Sequence, residues 1–353
     1  MPIFDQGYQH WSGQLTGHAW RWLAITRHGL RIALSSWLVR LVLIAAALPA
    51  IVLVFVVAMW GLLEQKSDLI TAILPLLGGA LNPEILAGPR AFRVEVWTIV
   101  FSYFLAIEQR FAMVLVLFVG PNLISQDLRY NAMPLYFSRP LRRFDYVLGK
   151  LGVIVTLLSA VIIAPAIVAY VLGMIFSLDV SILRDTFRIL LASVVYGLVI
   201  SISAGLLILA LSTLSRNSRY VALFWIGMWF ITSAVAVVLQ TIQFHEARRA
   251  AEAGEAVNPG DAIQRAIAAS RDDWRPLVSY TSNLTRIGQQ LIGIDAAWLR
   301  MAKLQPENTR EIFLNNVLGP QYPWYWSALV LLGWLVLSLC ILNFCIKSLD
   351  RLR

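Results

Sequence analysis

The densest collection of residues able to do chemistry lies between Gly120 and Lys150, GPNLISQDLRYNAMPLYFSRPLRRFDYVLGK. Asp127 closes an apolar run. Arg129 and Tyr130 follow, Leu135, Tyr136 and Phe137 stand side by side, and Arg139, Pro140, Arg142 and Arg143 form a basic corner. Apolar side chains bunched on a short charged loop mark a contact surface. A surface helix of this kind can dock in a groove of a soluble partner, with its charges setting orientation; the competing reading is a segment that lies flat on lipid. Either way the chemistry is recognition. For bond-making the chain is poor: it has no HExxH, no G-x-x-x-x-G-K-[ST] phosphate loop, no GxSxG and no CxxC. Its histidines are His10, His18, His28 and His245, none within an apolar run, so a histidine metal site buried in a span is not expected. Cys340 and Cys345 share the last apolar run and require no disulfide framework. Asn283-Leu284-Thr285 matches a glycosylation acceptor, a triplet common by chance.

The elements that must carry this segment are membrane helices. Apolar residues are 59% of the 353 positions and charged residues only 14%, against roughly 25% charge in soluble domains. A chain of this length cannot hide so much hydrocarbon inside a water-soluble fold. Apolar runs long enough to cross a bilayer occur at 36–60, 96–124, 151–176, 189–211, 220–239 and 324–346. The fold class expected is all-α, a polytopic membrane protein of six spans. The second run contains Glu108, Gln109 and Arg110. It reads as one long tilted helix, with Glu108 and Arg110 near the outer interface; a short surface helix followed by a span from about Phe111 is the alternative. Pro165 marks a kink in the third. Ahead of the first span, residues 19–34 alternate Trp, Leu and Ile with Arg21, Arg27, His28 and Arg31. That pattern suits a helix lying in the interface, its basic side toward headgroups; a plain continuation of the first span is the alternative. Four regions result: 1–35, a tail and interface helix; 36–240, five spans with the charged segment 127–150; 241–323, an extracytoplasmic region with enough length for a small helical cap; and 324–353, the sixth span and a short tail.

Charge placement orients the chain. Residues 1–40 hold four bases and one acid, 127–150 five bases and two acids, 212–219 two bases and no acid, and 347–353 three bases and one acid. With six spans these fall on one side. The opposite side has 241–323, with nine of each sign, and 61–95, with three bases and four acids. This is the positive-inside pattern, with both termini cytoplasmic. It accounts for the net charge of +9 without nucleic acid, since the bases form no continuous phosphate-binding stripe.

The stretch from Asp127 to Lys150 resembles the signature of the ABC-2 type family of transporter permeases. Asp127 matches the acidic position of its coupling helix, Ser138-Arg139-Pro140 its small-residue/Arg-Pro corner, and Gly149-Lys150 the Gly-Lys pair that opens the third span. The interface helix, six spans and larger outer loop between spans five and six also match. The sequence departs from the pattern in its long outer loop and in Asn131-Ala132, where many members have a Gly-Thr-like pair. The resemblance implies a membrane subunit without catalytic residues of its own. It would work as a homodimer or heterodimer in the plasma membrane, the bacterial inner membrane, coupled to a separate ABC ATPase subunit. No cofactor would be bound directly; ATP and Mg would sit on that partner. ATPase coupling would fall to Asp127, Arg129, Tyr130, Leu135, Tyr136, Arg139 and Arg143. A second cytoplasmic contact would come from Arg216 and Arg219, and Arg21, Arg27 and Arg31 would anchor the interface helix in membrane lipids. A substrate path would be lined by spans one, two and five, with Ser102, Tyr103, Trp225, Trp229 and Ser233 as candidates. The resemblance implies export as the direction of transport, and two other readings stand beside this exporter: an ABC-type machine doing mechanical work on lipids or a membrane-bound partner, recognisable by a sealed interior, and a structural membrane protein without an ATPase.

Overall fold

The computed structural model describes residues 20–67, 82–133, 136, 141–177, 179, 181–253, 267, 273–318 and 321–350, and the described chain is helical without strands. In order, the helices are α1 (Arg21–Ser35), α2 (Trp37–Glu64), α3 (Pro83–Ala87), α4 (Arg93–Arg129), α5 (Arg143–Ser177), α6 (Ser181–Leu214), α7 (Ser218–Ile226), α8 (Thr232–Ala253), α9 (Tyr280–Ile292), α10 (Ile294–Met301), α11 (Glu307–Val317) and α12 (Trp324–Asp350). A π turn, Gly227–Ile231, joins α7 to α8. Six helices are long and apolar enough to cross a membrane: α2, α4, α5, α6, the joined α7–α8 and α12. The chain is an all-α polytopic membrane protein. The most apolar stretch of α6 is 61% buried, against 17% for α7–α8 and α12. So α6 is the centre of the bundle, and the other two present most of their apolar surface outward.

α1 ends at Ser36, whose extended backbone (φ −72°, ψ 128°) separates it from α2. It packs across α5 instead of continuing the first span. Glycine makes that approach possible. A Cβ at Gly149 would meet Ile25 Cβ at 2.7 Å and the Trp22 carbonyl at 2.9 Å, and one at Gly152 would meet Thr26 Oγ1 at 2.5 Å. The Thr26 hydroxyl donates to the Gly149 carbonyl at 2.9 Å. Trp20, Leu23 and Ile32 remain exposed beside the exposed Arg27 and Arg31, as a helix resting in an interface requires.

At the opposite end of the bundle one guanidinium ties four helices together. Arg93 makes a forked pair with Glu64, Nε to Oε1 at 2.8 Å and Nη2 to Oε2 at 2.6 Å. It also reaches Asp179 at 3.1 Å, Asp185 at 3.5 Å and the Ser181 hydroxyl at 3.0 Å. Trp60 and Ser177 donate to the two oxygens of Glu64 at 2.8 and 2.7 Å. Bidentate geometry with every lone pair engaged offsets the cost of burying Arg93 and Glu64.

α4 is a single helix from Arg93 to Arg129, as its sequence suggests. Glu108 and Arg110 lie near the middle of this helix: at 1.5 Å per residue each is more than about 20 Å from either end. Glu108 is wholly buried, and neither of its carboxylate oxygens has a hydrogen-bond partner among the described residues.

The region after α8 is more than a cap on the membrane. Arg275 donates to the Leu239 carbonyl at 3.2 Å, high on α8. A few residues later Ser279 and Thr281 lie 3.1 and 2.8 Å from the Ser233 hydroxyl, and the Tyr280 hydroxyl is 2.9 Å from Ser203. Ser203 lies about 33 Å along α6 from its Ser181 end. The chain therefore descends deep into the bundle and climbs out as α9, a re-entrant helix. Backbone that is not a complete span is tolerated at membrane depth only when buried in protein or lining a wet cavity, and α9 has one face buried in protein. Its own ends are well formed. Ser279 caps the N-terminus, and Gly293 at φ +80° closes the C-terminus, a conformation that favours glycine. Gly288 sits against the Tyr196 ring, where a Cβ would come within 2.7 Å. The acceptor amide of Asn283 is buried and donates to the Leu277 and Ser279 carbonyls at 2.7 and 2.8 Å, so the folded chain cannot present that triplet for glycosylation.

Candidate functional site

Two regions on α4 combine polar groups in arrangements that a packing role does not explain. The first is its Asp127 end. The helix stops through paired bonds, Ala132 N–H to the Asp127 carbonyl at 2.9 Å and Asn131 N–H to the Leu128 carbonyl at 3.4 Å, with Asn131 in the left-handed region at φ 50°. This is the closing motif that usually employs glycine, and asparagine is among the few residues that accept it. The departure at Asn131 thus preserves the turn. The Asp127 carboxylate accepts from the Tyr146 hydroxyl at 2.7 Å and pairs with Lys150 at 2.7 Å. The Lys150 ammonium lies 5.5 Å from the Tyr146 ring centre and 6.0 Å from that of Tyr136, and the two rings are 5.3 Å apart. Burial, and then the charge of Asp127, raise the Tyr136 phenol above its ordinary pKa.

The coupling residues expected from sequence therefore divide. Asp127 and Tyr136 build a closed cluster with Tyr146 and Lys150. Arg129 and Tyr130 project from it, Tyr130 being 73% exposed with the Arg129 guanidinium 5.7 Å over its ring. Arg143 is exposed at the start of α5, beside a capping contact from Arg142 N–H to Asp145 at 3.2 Å. Leu135 and Arg139 lie outside the described residues. Arg216 is exposed in the turn between α6 and α7, and Arg219 is exposed at the start of α7. That turn is tied to the same end of α4. Pro121 interrupts the helix ladder, and the Ser212 hydroxyl, at the foot of α6, accepts from the amides of Ile124 and Ser125 at 3.2 and 2.9 Å and donates to the Pro121 carbonyl at 3.1 Å. The interface helix reaches the cluster as well. A cavity of about 470 Å³ between α1, α2 and α4 has Asp127, Tyr136, Lys150 and His28 in its walls. Of the three anchoring arginines, Arg27 and Arg31 point outward and Arg21 is half-buried.

The second region is near the middle of the same helix. A cavity of about 440 Å³ lies between α4, the π turn with the start of α8, and α9; Gln109, Arg110, Trp229, Ser233, Thr281 and Gln289 are among its lining residues. Gln109 organises one wall. Its carbonyl accepts from the Tyr196 hydroxyl at 2.6 Å and from Thr285 at 3.2 Å, and its amide donates to the Thr281 carbonyl at 3.0 Å. Ser233, Ser279 and Thr281 form a hydroxyl cluster within 3.1 Å of one another. Arg286 is fixed by Asp295 at 3.1 Å and the Tyr322 carbonyl at 2.9 Å. The π turn carries Trp229 into this wall, a placement in keeping with the frequent occurrence of π turns at functional sites.

The substrate-path candidates also divide. Trp229 and Ser233 line the large cavity. Ser102 and Tyr103 line a neighbouring pocket of about 170 Å³. Trp225 is wholly buried, donates to the Met113 carbonyl at 3.0 Å and stands edge-on to Tyr280, which makes it a packing residue. Span one, expected to share the path, contributes no residue to either pocket; α9 takes that place. Sequence reading missed Thr281, Thr285 and Gln289, although the run Ser279 to Gly293 carries a capping serine, a closing glycine and polar residues at helical spacing. No family model matches the chain, and no curated protein matches it.

Proposed function

We propose that this chain is the membrane permease subunit of an ATP-driven transporter of the ABC-2 type, working as an exporter with a separate ATPase subunit. The observation that carries the reading is that one continuous helix, α4, with Pro121 inside it, serves both regions. Near its middle it lines a polar cavity, and at its end it supplies Asp127 to the charged cluster and Arg129 and Tyr130 to the free surface. A continuous helix with a recognition surface at one end and a cavity wall at its centre suits a machine in which a partner's closure moves the cavity. Ser212 links the Arg216–Arg219 turn to the same helix, so both expected partner contacts would move together. The cavity favours transport over purely mechanical work, for which a sealed interior is expected.

In this reading the Asp127 end and both termini face the cytoplasm, following the basic residues of the loops, and the membrane is the bacterial inner membrane. The permease pairs with a second copy or a related chain, and ATP and magnesium are held by the ATPase. Purification in mild detergent with mass spectrometry of bound proteins tests the partnership. An ATPase should accompany the wild type and be lost with Tyr130→Asp, a change at an exposed site that leaves the helix bundle intact. Recovery of the protein alone in both cases favours a structural membrane protein instead.

A further inference from the structure

We propose that the cavity between α4, the π turn and α9 takes an anionic amphiphile, with Arg110 as the cation that meets its head group. Its role as cargo rests on the transport reading; the binding itself does not.

Arg110 lies about 26 Å from the Arg93 end of α4 and about 28 Å from the Arg129 end, at the middle of a membrane-spanning helix. A cation within a span is costly unless it is paired or solvated, and marks a site by default. Among the described residues, none pairs with it. Glu108, two positions away, points to a different side of the helix, since residues at i and i+2 do not face each other. It is sealed inside the bundle, whereas Arg110 is exposed on the cavity wall. The other guanidinium of the lining, Arg286, is already engaged by Asp295 and Gln289. Among the described lining residues there is no acid, and Gln240, Ser282 and Gln289 add polar side chains that can donate to an anion. The cavity thus offers one uncompensated positive charge surrounded by donors.

The apolar half of the ligand follows from the surface outside. Tyr103, Ile107 and Arg110 recur at i, i+4 and i+7, a single stripe of α4. Tyr103 and Ile107 are 56% and 39% exposed. A head group held by Arg110 would leave its chain along this stripe.

The permease, purified alone in neutral detergent, can be titrated by native mass spectrometry with phosphatidylglycerol and with phosphatidylcholine of the same acyl chains. Arg21, Arg27 and Arg31 are changed to glutamine throughout, so that α1 does not contribute. Phosphatidylglycerol should bind about tenfold more tightly, the scale of one charge-assisted contact. Arg110→Gln should abolish the preference, and Arg110→Lys should keep most of it. A preference that survives Arg110→Gln overturns the proposal. So does competition by inorganic phosphate at concentrations matching the lipid, which would mark a site for small anions without a tail. Neither ATP nor an ATPase enters this measurement, so its failure leaves the partnership standing, and an absent ATPase leaves the binding result standing.

Discussion

Asp127 and Lys150 are largely shielded from solvent, at 15% and 12% side-chain exposure, and meet at 2.7 Å. Removing one charge of such a pair strands the other, at about 3 kcal/mol. Asp127→Asn should therefore lower the thermal unfolding midpoint in detergent, and a second change, Lys150→Met, should recover much of the loss; an unchanged midpoint for the single variant would exclude the cluster as a stabilising element. Asp179 carries a pH prediction. Its carboxyl is held down at about 2 against an ordinary 3.8, first by hydrogen bonds from Ser181 and then by Arg93. A value depressed by folding means stability present above the ordinary pKa and lost as pH falls from about 4 toward 2. Asp179→Asn should remove that part of the acid sensitivity, seen as a flatter midpoint between those pH values. At this scale the sequence was readable where polar residues are contiguous: Asp127, Arg129 and Tyr130 stand together in the chain. The cavity residues were not, because Gln109 meets Thr281 across 172 positions, and no local pattern announces such a pairing.

Elements carry a different kind of information. The six spans follow from hydropathy alone, since length and apolar content are the requirements for crossing hydrocarbon. α9 escapes that measure. At thirteen residues it is about 20 Å long, too short and too polar to register as a span, and its depth is set by contacts with α6 and α8 rather than by its composition. Gly288 tests its seat: Gly288→Val should push α9 from Tyr196 and expose a cysteine placed at Leu284, now wholly buried, to a membrane-impermeant maleimide. Labelling no faster than in the parent would show that the contact is not needed. The interface helix depends on glycine in the same way. Gly152→Leu, whose first side-chain carbon already meets Thr26, should lift α1 from α5 and destabilise the fold by about 1–3 kcal/mol, with a spin label at Arg27 gaining mobility. The amphipathic pattern of residues 19–34 forecast this helix, but its seat on Gly149 and Gly152 needed the structure.

Across the whole molecule, the ends of the bundle differ in build. At one, the buried forked pair of Arg93 with Glu64, with its contacts to Asp179, Asp185 and Ser177, bolts α2, α4, α5 and α6 together. At the other, the Asp127 cluster is closed on itself while Arg129, Tyr130, Arg143, Arg216 and Arg219 remain on the surface, and α1 lies beside them. A bundle clamped at one end and presenting a charged, aromatic surface at the other is suited to being driven from that surface. The central claim is that an ATPase drives it there, and ATP hydrolysis by the ATPase purified with this chain and reconstituted in nanodiscs tests that claim most directly. Hydrolysis should depend on the permease and fall about tenfold or more with Arg129→Glu and Tyr130→Asp combined, the scale of losing contacts at the heart of an interface. A rate indifferent to both the permease and these substitutions would contradict the account.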